Sequence, residues 1–241
     1  MQDCALVKRV FLASFGGKWY TETYTKRGIF SMVITYHTAE CFKISFGDTT
    51  IVCNPISKDS SLKQAKFGSD IVLQTLNHAD MNGAESMSYG DRTPFVVSGP
   101  GEYEIKNVII HGFPTVSHYG GVERINTAYI FSLENMKLCF LGALDEKKLP
   151  AEMKEQLDEI DLLFVPIGGE GVLSPDDAHE LAVELEPRVI IPMHYGEIGV
   201  KNALALFLKE EGSEVPQTLD KLTIKRKDLE TKNGEVIILQ S

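Results

Sequence analysis

The sequence has no C-x-x-C pair, no surplus of basic charge and no apolar run near the ~18 residues that span a bilayer. Each lack removes a class of protein. The four cysteines, Cys4, Cys41, Cys53 and Cys139, stand far apart, and three lie in hydrophobic strand-like runs. They read as buried thiols of a reducing compartment, so a cytoplasmic location is expected. With 24 Lys and Arg against 34 Asp and Glu, the net charge is −10. That balance repels a phosphate backbone, so nucleic acid is not an expected partner, and neither is a membrane. No fixed-period repeat or low-complexity tract occurs. What is present is 241 residues, 43% apolar and 24% charged. A chain of this size hides roughly 70–75% of its unfolded surface, so it folds without disulfides or a structural metal.

Residues 1–31 differ in kind from the rest. Lys8, Arg9, Lys18, Lys26 and Arg27 against Asp3 and Glu22 give this piece +3, leaving −13 for the remainder. Ala5-Leu6-Val7 is broken at once by Lys8-Arg9, so no signal peptide is expected. The segment reads as a basic extension outside the fold, with Met32 a natural start. Residues 32–241 read as one domain. Strand patterns fall on Met32–Tyr36, Thr49–Cys53, Asp70–Leu73, Pro94–Ser98, Asn107–Phe113, Thr127–Leu133 and Met136–Leu141, and later on Asp161–Ile167, Arg188–Pro192, Leu219–Arg226 and Gly234–Leu239. Apolar spacing predicts helices over Lys148–Leu157 and Lys201–Glu210, and Ser174 before Pro175 predicts a capped helix reaching Leu185. The mixed-sign stretch Lys225–Lys232 reads as a solvated hairpin. The class is therefore α/β in the broad α+β sense, with sheets covered by helices and loops at strand ends free to carry a site.

Six histidines are present, and most read as surface or satisfied groups: His37, His111, His118 and His179. His78 and His194 stand apart. Each follows a hydrophobic strand, in Asn77-His78-Ala79-Asp80 and in Pro192-Met193-His194-Tyr195, where side chains from separated segments can meet one ligand. Cys53 and Cys139 lack an activating neighbour, and Ser117 and His118 are adjacent on an extended strand and so point apart, which disfavours nucleophilic catalysis by thiol or hydroxyl.

Ile34–Ile44 (ITYHTAECFKI), Thr50–Pro55 (TIVCNP), Asp70–Asp80, Ser98–Tyr103 (SGPGEY) and Gly112–Thr115 (GFPT), followed by Asn126–Thr127, Leu141-Gly142, Asp161–Gly169 (DLLFVPIGG) and Ile190–Tyr195, resemble in order the metallo-β-lactamase superfamily. The likeness is greatest to its ascorbate-phosphate-lactonase-like branch of Zn-dependent hydrolases. It implies a four-layer αββα sandwich of two similar halves, and a T/S-H-x-H-x-D-H motif feeding ligands to two metal ions. Laid on this chain, the motif falls on Thr75-Leu76-Asn77-His78-Ala79-Asp80-Met81, so two of its three histidines are absent. The histidine after the G-x-P-T element falls on Ser117, with His118 one position late. The metal-bridging aspartate falls on Ala143, and the early G-H-S/A histidine on Ala39. Only His78, Asp80 and His194 carry over in register.

In the family the nucleophile is a hydroxide that the metal makes available near neutral pH. A bridged ion pair needs roughly six or seven ligands, and three do not hold two ions. Two readings stay open. In one, the chain is a binding or scaffold protein of the metallo-β-lactamase fold with weak or no hydrolase activity and no metal. In the other, His78, Asp80 and His194 hold one Zn, Mn or Fe ion, with His118 swung inward as an optional fourth ligand. Asp80 is then the catalytic carboxylate, Asn77 and His118 orient the substrate, and a small ester, lactone or phosphoester is hydrolysed. Both readings expect a small-molecule partner and leave room for a homo-oligomer.

Overall fold

A computed structural model describes residues 9–15, 18–24, 31–212 and 218–241. The chain divides into two compact units between Phe30 and Ser31. Sequence patterning assigns no strand to the first unit. Its backbone nevertheless pairs, β1 (Arg9–Phe15) running antiparallel to β2 (Lys18–Tyr24).

In the second unit the elements follow as β3 (Met32–Tyr36), β4 (Phe42–Phe46), β5 (Thr49–Cys53), β6 (Ile71–Leu73), β7 (Phe95–Val97), β8 (Gly101–Ile105), β9 (Val108–Ser117), β10 (Arg124–Leu133) and β11 (Met136–Phe140). Then come α1 (Ala151–Lys154), β12 (Leu162–Pro166), α2 (Pro175–Leu185), β13 (Val189–Met193), α3 (Ala203–Glu210), β14 (Thr218–Leu219), β15 (Leu222–Ile224), α4 (Arg226–Leu229), β16 (Glu235–Val236) and β17 (Ile238–Leu239). Two sheets result, in the orders β15-β3-β4-β5-β6-β7 and β16-β13-β12-β11-β10-β9-β8, while β14 and β17 pair by themselves. In each large sheet an antiparallel hairpin run gives way to parallel strands, β5-β6-β7 in the first and β11-β12-β13 in the second.

The alternation of apolar residues along β3 and β4 explains the packing, since positions two apart share a face. Ile34, Phe42 and Ile44 from the first sheet meet Tyr129, Phe131, Phe140 and Phe164 from the second in one buried core. Phe42 stands edge-on to Phe164 at 4.9 Å. Each such ring contributes about 1.5–3 kcal/mol by leaving water. Strands β12 and β13 are buried throughout, as strands covered on both faces must be. The outer face of the second sheet sends Ile130, Cys139 and Leu163 against Ala178 and Leu181 of α2 and Phe207 of α3. Over the first sheet the cover consists of Ile56 and the 3₁₀ turn Ala84–Met87, whose Met87 packs on Cys41, Val52 and Val72. The sheets thus build the expected sandwich.

Helix α2 starts where expected, with Ser174 Oγ accepting from the Asp177 N–H at 3.1 Å. Several expectations need correction. The helix expected over Lys148–Leu157 contracts to α1, preceded by Pro150 in an extended conformation. The strand expected over Leu219–Arg226 breaks into β14, β15 and the start of α4. Lys225–Lys232 is not a solvated hairpin: the Lys225 N–H donates to the Asp228 carboxylate at 3.0 Å, Arg226 pairs with buried Asp161, and Leu229 is fully buried. Among the described residues no helix is long and apolar enough to cross a membrane.

Candidate functional site

Strands β5 and β6 are neighbours in one sheet and β13 belongs to the other, and the residues just past their tips form a buried polar chain. Asn54, immediately after β5, accepts the Thr75 N–H on Oδ1 at 2.9 Å. Its Nδ2 donates to Thr75 Oγ1 at 2.8 Å and to Glu40 Oε2 at 2.7 Å. The other Glu40 oxygen lies 2.6 Å from His194 Nδ1. Glu40, Asn54 and His194 are fully buried, so each must find its partners inside the protein. His194 itself follows β13 with a left-handed φ of 62° and is tied by its N–H to Ala39 O at 2.7 Å. Gly168 makes room for that turn, because a Cβ there would stand 2.3 Å from the His194 carbonyl oxygen.

Beside this chain lies Asp80, also buried. It accepts from Ser60 Oγ at 2.5 Å on one oxygen and from the Tyr119 hydroxyl at 2.7 Å on the other. The backbone N–H of Asp80 points at His78 Nδ1, 3.3 Å away. The ring of Tyr119 stands nearly perpendicular to the imidazoles of both His78 and His194, each with its centroid at 4.8 Å. Burial, with the bond to Asp80 second, pushes the Tyr119 phenol well above its ordinary range. Tyr119 is placed by the loop opposite. Gly171 approaches so closely that a Cβ there would meet the His118 carbonyl and the Tyr119 nitrogen at 2.5 Å.

The opposite wall is apolar. Leu76, Met81, Ala143 and Val172 form a buried cluster with Tyr119 packed on it. Asn126 sets the turn that delivers Ala143: its Oδ1 accepts the Ala143 N–H at 3.0 Å, and its Nδ2 donates to Leu141 O at 2.9 Å. A dinuclear centre does not fit these residues. Three positions of the implied ligand set are occupied by Leu76, Met81 and Ala143, with no nitrogen or carboxylate to offer. Among the described residues, no group of three or more His, Cys, Asp or Glu side chains is disposed to hold an ion.

His78, Asp80 and His194 therefore converge, but on Tyr119 rather than around a shared vacancy. His118 does not swing inward. It turns to solvent, its Nδ1 2.5 Å from Asp145 Oδ2 and its Nε2 3.5 Å from Glu123. Asn77 is exposed and accepts from Asn82 Nδ2 at 2.9 Å. Asn77 and His78, with Lys58, Asn82, Glu85 and Arg124, line a cleft of about 640 Å³ beside the cluster. The thiols of Cys53 and Cys139 are buried, which raises both, Cys139 to about 12, so neither is an activated nucleophile. Reading from sequence missed Glu40, Asn54, Ser60 and Tyr119. A signal existed for the last: Tyr119 lies two residues beyond Ser117, the position of an implied ligand, while His118 between them faces away.

The hydrogen bond that His118 donates to the Asp145 carboxylate holds it above the ordinary histidine range, with Glu123 adding to it. Because the folded-state value is raised, this pairing stabilises fully below about pH 6.5, the unfolded value, and the contribution fades as pH rises through the folded-state value. Histidine-ring NMR is expected to show His118 titrating high and Asp145→Asn bringing it down. An unchanged titration in the variant would remove Asp145 as the cause.

Three comparisons place this geometry among known proteins. The family profile described as "Beta-lactamase superfamily domain" matches residues 33–194, two thirds of the chain. A metal-dependent hydrolase of Listeria welshimeri is 27% identical over 198 residues, covering 68% of this chain and 85% of its own length. A Thermotoga maritima structure described as a Zn-dependent hydrolase of the metallo-β-lactamase superfamily superposes with a TM-score of 0.68 at 29% identity. The match covers 86% of this chain and 98% of that one. A metal-dependent hydrolase structure from Parabacteroides distasonis, 16% identical, shares the fold with a TM-score of 0.61 over 97% of this chain and 100% of its own. With a profile match that spans residues 33–194 and a sandwich that superposes on a solved member, the chain belongs to the metallo-β-lactamase superfamily.

Proposed function

We propose that this chain keeps the sandwich and cleft of its hydrolase relatives as a binding module for a small polar molecule, with weak or no hydrolase activity. The carrying observation is the buried cluster in which Leu76, Met81 and Ala143 stand where the family places ligands, with Val172 packed among them. A hydrolytic zinc takes about three protein ligands and a water, and a pair takes more. Apolar side chains packed on one another leave neither ligands nor room for water. Recognition then falls to the cleft beside His78, where Lys58, Asn77, Asn82 and Arg124 offer donors and Glu85 an acceptor. Three free, buried thiols, Cys41, Cys53 and Cys139, fit a reducing, cytoplasmic setting.

One observation favours a second reading. His194 Nε2 is buried without a hydrogen-bond partner while Nδ1 is committed to Glu40, the support that a metal-binding histidine has. In that reading His78, Asp80 and His194 hold a single Zn, Mn or Fe ion and the chain hydrolyses a small ester, lactone or phosphoester. Elemental analysis of protein purified without chelator separates the two. Well under one ion per chain, unchanged in His78→Ala, is expected. A near-stoichiometric ion that disappears in His78→Ala would establish the single-ion hydrolase instead.

A further inference from the structure

One side chain touches every remnant of the ancestral centre. Tyr119 donates its hydroxyl proton to Asp80, sets its ring 4.8 Å from the imidazoles of His78 and His194, and packs on Leu76, Met81, Ala143 and Val172. The donors it meets are not in themselves spoiled. His194 has its ring fixed by Glu40 through Nδ1 and presents Nε2, buried and without a partner. His78 has Nδ1 against the Asp80 N–H, and its Nε2 is the atom that a Cβ on Gly120 would approach, to 3.3 Å, in the residue next to Tyr119. Asp80 is held by Ser60 on one oxygen and gives the other to the phenol. One aromatic ring stands against all three groups.

We propose that Tyr119 is an internal plug, a side chain seated in the cation position that withholds His78, Asp80 and His194 from a single divalent ion. This rests on the reading that the native chain has no working metal centre, and it adds which residue closes the site. The plug acts by its ring, since the ring is what lies against both imidazoles. The hydroxyl only satisfies Asp80, which would otherwise be a buried carboxylate short of a partner. Glu40 is the positioning residue: it fixes the His194 ring through Nδ1 and leaves Nε2 as the nitrogen without a partner.

The test uses the full-length chain and Co2+ as the probe, read by visible absorption, titration calorimetry and thermal shift. Wild type and Tyr119→Phe are expected to show no saturable Co2+ binding, and Tyr119→Ala to bind one Co2+ per chain with a raised melting temperature. Adding Glu40→Gln to Tyr119→Ala is expected to weaken that binding about 10–100-fold, as loss of an outer-shell carboxylate does. Adding His194→Ala abolishes it. Should Tyr119→Ala fail to fold, Tyr119→Val removes the ring while keeping an apolar contact with Leu76 and Met81, and is expected to bind Co2+ as well. A folded Tyr119→Ala or Tyr119→Val that takes up no Co2+ overturns the plug and leaves the metal-free reading standing. Binding by Tyr119→Phe equal to that of Tyr119→Ala also overturns it, because the hydroxyl alone would then be the block. Stoichiometric Co2+ on wild type overturns both.

Discussion

Replacing Glu40 by alanine is expected to lower the stability of the fold by about 3–5 kcal/mol, the cost of removing one member of a buried, paired charge-bearing network. The reason lies in its two partners. Glu40 is the acceptor for His194 Nδ1 at 2.6 Å and Asn54 Nδ2 at 2.7 Å, and all three residues are sealed from water. Truncation strands two donors that nothing else can reach, and it opens a cavity between the tips of β5 and β13. For a domain of this size such a loss shifts the melting midpoint by roughly 6–20 °C. Glu40→Gln keeps the shape and one acceptor, and the smaller loss of about 1–3 kcal/mol is expected for it. Urea denaturation followed by circular dichroism measures both. A change under about 1 kcal/mol in Glu40→Ala would mean that the chain from Thr75 to His194 is ornamental to the fold.

The second large effect comes from putting ligands back. Leu76→His, Met81→His and Ala143→Asp, combined with Tyr119→Ala, add three candidate ligands to His78, Asp80 and His194 at the strand tips, six in all. Without metal the variant is expected to be severely destabilised. Each new polar group replaces an apolar one in a cluster with no matching partners, at a cost of about 1–3 kcal/mol each. With zinc the same groups become ligands, and folding is driven by binding, about 2.7 kcal/mol at a free-zinc concentration a hundred times the Kd. The signature is a melting temperature that depends steeply on zinc. A quadruple variant as stable as wild type without zinc, and indifferent to it, would show that these positions do not line one space.

Much of the fold was legible because its strands announce themselves chemically. Met32–Tyr36 and Thr49–Cys53 emerge with the bounds that patterning predicts, being β-branched runs closed by turn residues. The Ser174-Pro175 start of α2 is likewise a local signal read correctly. Patterning does not assign strand β4, although Phe42, Ile44 and Phe46 alternate, nor β8, whose Gly-Glu-Tyr-Glu-Ile offers mostly exposed positions as a sheet edge. Helix α4 joins a local cap, the Lys225 N–H on Asp228, to tertiary contacts that no local pattern contains, the pairing of Arg226 with Asp161 and the burial of Leu229. At the site, His78 and His194 stand out because each follows a hydrophobic strand, and Asp80 because it falls in the motif of the resembled family. Tyr119 and Glu40 do not, because their roles depend on which way a turn throws each side chain. His118 and Tyr119 are neighbours in sequence, yet one faces Asp145 in solvent and the other faces Asp80 inside.

The apolar knot at the strand tips also bears on how the chain meets its surroundings. Where loops are clasped by an ion, the folded population rises and falls with the free concentration of that ion. Here leucine, methionine, alanine, valine and a tyrosine ring do the clasping, and they travel with the polypeptide. Under the metal-free reading, a cell starved of zinc therefore matures this protein as readily as a replete one, and never has to load it.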